Sequence, residues 1–177
     1  MNLANTPGQT AEEKAKSFSE MVRTYQERLY WHIRKMVLVH DDANDVLQNT
    51  FMKAWKGLDN FRGDSQISTW LYRIATNETL SFLSQKKARM MNSFEDVEEL
   101  MLQNLQADTY FEGDEVQLKL QKAIITLPEK QRLVFNMRFY DEMPYEEMSK
   151  ILDTSVGALK ASYHHAARKV EDFLIKE

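Results

Sequence analysis

The chain has 177 residues, 43% of them hydrophobic and 28% charged, with a formal net charge of −4. That length and apolar content suit packed cores in one or two small domains; without an apolar run of about eighteen residues there is no membrane span, and without cysteine there are no disulfides, thiolate metal sites or cysteine nucleophiles. The opening residues, MNLANTPGQTAEEKAKS, lack a basic stretch followed by an apolar one. They read as a tail over 1–17 rather than a secretion signal, and a cytoplasmic location is expected. The first periodic segment runs from about Phe18 to Val39. A second follows HDDAN, where Asp41, Asp42 or Asn44 is placed to cap a helix whose apolar stripe is Leu47, Phe51, Ala54, Trp55 and Leu58. Gly57 and the DNFRGDS cluster end it.

A third helix is expected from about Ser68 to Met90, its basic tail SQKKAR suiting the negative end of a helix dipole. Ile67, Leu71, Ile74 and Ala75 form its predicted core face. Thr69, Arg73, Thr76 and Asn77 lie on the other side with Trp70 at the edge, while Glu78 and Leu80 break the pattern. An aromatic, arginine, threonine and asparagine face suits unpaired bases: rings stack, guanidinium binds phosphate and amides read base edges. Residues such as Trp70 and Tyr72 are more often core than ligand contacts. Residues 93–118 then carry Glu95, Asp96, Glu98, Glu99, Asp108, Glu112, Asp114 and Glu115 with no lysine or arginine. The blocks on either side hold a small basic excess, and a polyanion responds to such local fields rather than to the average. The acidic stretch is expected to act as a linker over 93–114.

The second block opens near Glu115, with Leu118, Ile124, Ile125 and Leu127 as apolar positions and Pro128 in the early turn of a further helix, PEKQRLVFNMRFY. DEMP breaks that helix, YEEMSKIL is a short one, DTS a turn and VGALKASYHHAARKVEDFLIKE a long terminal one. Short helix, tight turn and longer helix make a helix-turn-helix plan. Val156, Leu159, Tyr163, Ala166, Val170 and Leu174 share the face predicted to pack on Met148, Ile151 and Leu152. The opposite face holds Ala158, Ala161, His164, His165, Arg168 and Lys169, and there is no acidic residue from Thr154 to Val170. Ser155 is placed to cap the helix and leave its amides facing a phosphate. A solvated basic face on a plain helical hairpin is the alternative. No strand pattern persists, so the fold class is all-α: two small helical domains, 18–92 and 115–177, joined by the acidic linker.

The stretch DANDVLQNTFMKAWKGLDNFRGDSQISTWLYRIATN closely resembles region 2 of bacterial RNA polymerase sigma factors of the extracytoplasmic-function (ECF) group. LPEKQRLVFNMRFYDEMPYEEMSKILDTSVGALKASYHHAARKV is similar to region 4 of the same group. The resemblance covers roughly 20–90 and 115–172. It implies a protein that binds core RNA polymerase, recognises −35 and −10 promoter elements and helps to open the duplex, with an anti-sigma factor as a further partner. It implies no small-molecule substrate, membrane insertion, cofactor, metal or catalytic residue. Asp45 and Gln48, with Asn49 and Met52, match the group's contact with the polymerase clamp. The loop Phe61, Arg62, Gly63, Asp64, Ser65 resembles the one that captures a flipped −10 base; Asn77 matches the position contacting an adjacent base, and Trp70 and Arg73 match the group's signature. Thr154, Ser155, Ala158, Lys160, Ala161, His164, His165 and Arg168 fall on the helix that reads the −35 element in the major groove.

Three positions depart from the group, which often carries arginine where Ser162, His165 and Ala167 stand here. A fourth, Asp153, occupies a turn where the group often has glycine, and aspartate tolerates the left-handed backbone better than most residues. Two other readings stand beside the sigma-factor one. An ordinary helix-turn-helix regulator would bind duplex DNA alone and would not need the Asp45 and Gln48 surface. An enzyme would need a constellation that is missing: His164 and His165 are adjacent, and His32 and His40 have no carboxylates at a spacing such as HExxH.

Overall fold

The structure is a computed structural model describing residues 10–90, 103 and 115–176. Except for Gln103, the expected linker over 93–114 lies outside the described residues. Among the described residues the regular structure is helical throughout, and the chain divides into two compact units, residues 1–83 and 84–177.

In the first unit α1 spans Ala11–Val37 and α2 His40–Gly57, with a 3-10 turn at Leu58–Asn60; α3, Ile67–Met90, belongs to it as far as Leu83. Helix α1 begins seven residues before the predicted start. Its signal is local: the Thr10 side chain accepts from the Glu13 amide at 3.2 Å while the Glu13 carboxylate accepts from the Thr10 amide at 2.8 Å. This capping box satisfies two orphan donors. Leu38, left-handed at φ 64, closes α1, and two residues then suffice to return the chain as an antiparallel hairpin. Helix α2 begins at His40 with Val39 at the cap and no side-chain cap. Asp41 and Asp42 instead lie in the first turn, where they favour the helix dipole. Asn44 donates to His40 Nε2 at 2.9 Å.

The predicted stripe of α2 is rotated. The buried residues are Ala43, Val46, Thr50 and Ala54, with Leu58 beyond the helix end. Leu47 and Phe51 are half-buried and Trp55 is 38% exposed. Small residues at the seam let α1 approach closely and leave the large rings at its edge. Helix α3 departs from expectation in the same way. Its buried positions are Thr69, Leu71, Tyr72, Ala75, Thr76, Thr79 and Leu83, whereas Ile67 and Ile74 are half-buried. Two of the three buried threonines are tolerated because their hydroxyls are bonded: Thr76 Oγ1 meets His32 Nε2 at 3.0 Å, and Thr79 donates to the Ala75 carbonyl at 2.7 Å. The His32 ring stands edge-on to Tyr72 at 5.0 Å. Glu78, out of place on an isolated helix, pairs with Lys53 of α2.

The second unit holds α4 (Glu115–Ile125), α5 (Glu129–Phe139), α6 (Tyr145–Leu152) and α7 (Val156–Lys176). Pro128 and Pro144 are the cap residues of α5 and α6 rather than members of their first turns. Helix α7 packs on α4, α5 and α6. Ala123, Ile124, Leu127, Phe135, Ala166 and Val170 form one core cluster, flanked by Tyr140, Tyr163, Phe173 and Leu174. Burial raises the pKa of the Tyr140 phenol, opposed by a hydrogen bond from the Gln121 amide at 2.7 Å. The turn between α6 and α7 has the expected form. Asp153 is left-handed at φ 49, and the Ala158 amide donates to Ser155 Oγ at 3.2 Å.

Candidate protein and nucleic-acid interfaces

On α2 the buried stripe places Asp45, Gln48, Asn49 and Met52 on the opposite, exposed side; Met52 is 50% exposed. The rotation of the helix adds what the sequence reading missed. Phe51 and Trp55, expected in the core, meet Phe18 of α1 edge-on, at 6.3 and 4.9 Å between ring centroids. With Gln48, Met52 and Lys56 these rings line an open, mainly apolar groove of about 450 Å³. Lys14 of α1 stands over the Trp55 ring at 4.7 Å and pairs with Asp59 at 2.6 Å. A groove with an apolar floor and polar rim is chemistry for a protein partner, in which a few large side chains supply most of the contact energy. Pairing Trp55 with Phe18 across two helices is tertiary information, and the apolar stripe read from the sequence pointed Trp55 to the core instead.

The loop after the 3-10 turn exposes Arg62, Gly63 and Asp64, with Ser65 half-buried. Gly63, at φ 77, holds the left-handed conformation that makes the loop turn. Phe61 is half-buried against Trp70, 5.0 Å between centroids and 40° tilted. Trp70 in turn lies over Gly57, where an added Cβ would stand 3.2 Å from the indole. Gly57 therefore serves the packing of Trp70, its own backbone being right-handed at φ −86. On α3, Arg73 and Asn77 are exposed one turn apart. Thr69 and Thr76, assigned from the sequence to the same face, are buried and correct that assignment. The periodicity misled because the inner face of α3 is built largely of threonine and tyrosine.

On α7 the predicted faces separate. Leu159, Ala166 and Val170 are buried; Ser155, Ala158, Lys160, Ala161, His164, His165 and Arg168 are exposed, and Thr154 is half-buried with its hydroxyl on the Leu152 carbonyl at 3.0 Å. Lys169 donates to Gln131 of α5 at 3.1 Å. Two residues outside the predicted set join this face. The Tyr145 ring, at the start of α6, carries the Arg138 guanidinium at 5.3 Å and the Lys160 ammonium at 5.8 Å. Arg138 also donates to the Met143 carbonyl at 3.4 Å. One aromatic ring thus gathers cations from α5 and α7. Neither neighbour is visible in the sequence, since residues 138, 145 and 160 are separated by two helix ends.

Comparison with known proteins places both units. Residues 21–89 match the sigma-70 region 2 family and residues 117–170 the sigma-70 region 4 family. Over 167 residues the chain is 30% identical to the ECF RNA polymerase sigma-E factor of Escherichia coli (strain K12), covering 89% of this chain and 86% of that protein. It is 31% identical to the ECF RNA polymerase sigma factor SigW of Bacillus subtilis (strain 168) over 156 residues, 84% and 83% of the two chains. The sigma factor RpoE, solved with the anti-sigma factor NepR from Bartonella quintana, has a similar fold at a TM-score of 0.69 and 22% identity, over 90% of this chain and 97% of that one. CnrH, solved with the cytosolic domain of CnrY, does so at 0.67 and 21%, over 92% and 90%.

Proposed function

The chain belongs to the ECF group of the sigma-70 family of RNA polymerase sigma factors, and on that premise we propose a division of labour among its exposed faces. The α2 face of Asp45, Gln48, Asn49 and Met52 binds core RNA polymerase, and the adjoining Phe18, Phe51 and Trp55 groove extends that contact. The loop of Phe61, Arg62, Gly63, Asp64 and Ser65 receives an extruded −10 base, Asn77 reads its neighbour, and Arg73 holds backbone phosphate, with Trp70 positioning Phe61. The α7 face from Thr154 to Arg168 lies against the −35 duplex, with Arg138 as an added phosphate contact. The domains proposed for these tasks are 18–92 and 115–177. The protein acts as a non-catalytic subunit in the cytoplasm, the polymerase supplying the chemistry. RpoE and CnrH were solved with NepR and CnrY, and a protein antagonist of that kind is proposed for this chain.

The observation that carries this reading is that one chain exposes an α2 surface alongside two different DNA-type faces. A regulator that binds duplex DNA alone has no use for the first. Run-off transcription with purified core polymerase tests it: the full chain should direct initiation from a duplex promoter, and duplex binding without initiation would favour the simple regulator. Replacing Asp45 and Gln48 together by alanine should weaken core binding by about 2 kcal/mol, roughly thirtyfold, with the melting temperature unchanged. Normal titration of core polymerase by that double variant would remove the α2 assignment.

A further inference from the structure

We propose that His164 and His165 make binding of the upstream duplex element proton-linked, so that affinity rises as pH falls through the histidine range. This rests on the assignment of α7 as the −35 helix. The two imidazoles are adjacent and exposed, with ring centroids 6.0 Å apart. They stand in the middle of a face that carries Lys160 and Arg168 one turn to either side of His164, and Lys169 one turn beyond His165. No carboxylate occurs on this helix before Glu171 and Asp172, about two turns further on. From the packed helices, Tyr145 of α6 meets Lys160 and Tyr163, Phe135 of α5 stacks on Tyr163, and Gln131 of α5 meets Lys169, with Arg138 of α5 on the Tyr145 ring. The acidic groups on those helices are Glu115 of α4, Glu129 of α5, and Glu146 and Glu147 of α6. None forms an ion pair with either imidazole among the described residues.

Imidazole is the side chain that changes charge near physiological pH, and none of the acidic groups named pairs with either ring. Against duplex DNA it faces phosphate, which favours the charged form. Binding and protonation of these rings are therefore coupled, each favouring the other. The resulting gain in affinity is present at the acid end of the histidine range and is lost as pH rises through it. With an opposite charge at contact distance, two such groups give on the order of tenfold or more between pH 8 and pH 6. Each imidazolium that meets a phosphate also adds about one to the magnitude of the salt slope. The other two histidines sit in the first unit and are already held, His32 by Thr76 and His40 by Tyr30 and Asn44.

The experiment uses holoenzyme reconstituted from the full chain and core polymerase. A random-sequence duplex pool is enriched on it at pH 7, and the enriched duplex becomes the probe. Its dissociation constant is measured from pH 8 to pH 6 at fixed ionic strength. Wild type should tighten at least tenfold. The His164→Gln/His165→Gln variant should tighten less than about threefold, and His164→Lys/His165→Lys should bind strongly at pH 8 with little pH dependence. Ring-proton NMR titration of the full chain, free and with the same duplex, should show both imidazole pKa values rising on binding. Equal pH dependence in wild type and the glutamine variant, with both melting at the same temperature, overturns the proposal. If Lys160→Ala and Arg168→Ala leave binding of the enriched duplex untouched, or no duplex is enriched, the −35 assignment of α7 fails first and the proposal with it.

Discussion

Along α7 the side chains sort by polarity: leucine, alanine and valine face inward, while lysine, histidine and arginine face outward. Along α3 they do not. Its inner face mixes Leu71, Ala75 and Leu83 with Thr69, Tyr72, Thr76 and Thr79, and its outer face includes Arg73 and Asn77, so polar groups lie on both sides. The two helices are assigned to DNA by the same family resemblance, yet they solve burial differently. Helix α7 removes apolar surface from water, which is worth about 25 cal/mol per Å². Helix α3 buries the Thr76 and Thr79 hydroxyls, which stay bonded to His32 and to a helix carbonyl, and this keeps the cost of burial small. Polarity alone therefore marks a functional residue on α7 but not on α3, where Thr76 and Asn77 are neighbours with opposite fates.

The comparison can be broken most forcefully at Trp70. Trp70→Ala should cost about 2–3 kcal/mol, below the 3–5 of a fully buried ring because the indole is half-exposed. The melting temperature should fall by about ten degrees; an unchanged value would return Trp70 to a purely DNA-facing role. A finer cut separates the neighbours on α3. Thr76→Val, which strips the hydroxyl from buried His32, should destabilise by about 1–2 kcal/mol. Asn77→Ala should leave thermal stability alone and lower transcription from a duplex promoter, with little rescue when the −10 bases are already unpaired. Reversed outcomes at these two positions would invert the register of α3.

The smaller effects belong to α7. Ser155→Ala removes the bond from the Ala158 amide and should cost about 1 kcal/mol of stability. Lys160→Ala should weaken duplex binding and reduce the salt slope by about one. A salt slope that does not move would place Lys160 with its Tyr145 contact alone, as a packing residue.

Most of the second unit was legible. The left-handed Asp153, the Ser155 cap and the two faces of α7 follow from chemistry within a few residues of each position. The helix start at Thr10 was equally local, a T-x-x-E box that the apolar periodicity hid because the first two turns of α1 carry no apolar stripe. In the first unit the exposure of Asp45, Gln48, Asn49, Met52, Arg73 and Asn77 was read correctly, although the stripes used to argue it were rotated. Leu47, Phe51 and Trp55 look like a core face on an isolated α2. They lie at its edge because the seam against α1 selects the small residues Ala43 and Ala54 for close approach.

By itself the sequence determined the helical class, the paired family regions and the polar side chains left over for partners, because these depend on composition and on spacing within one helix. Only the tertiary structure decided which face of α2 and α3 is inside, that Gly57 is small to seat Trp70, and that Phe18 completes a groove with Trp55. It alone brings Arg138 and Lys160 to one tyrosine ring. Each of these depends on the volume and hydrogen bonding offered by a second helix, and a side chain's own polarity carries no record of either.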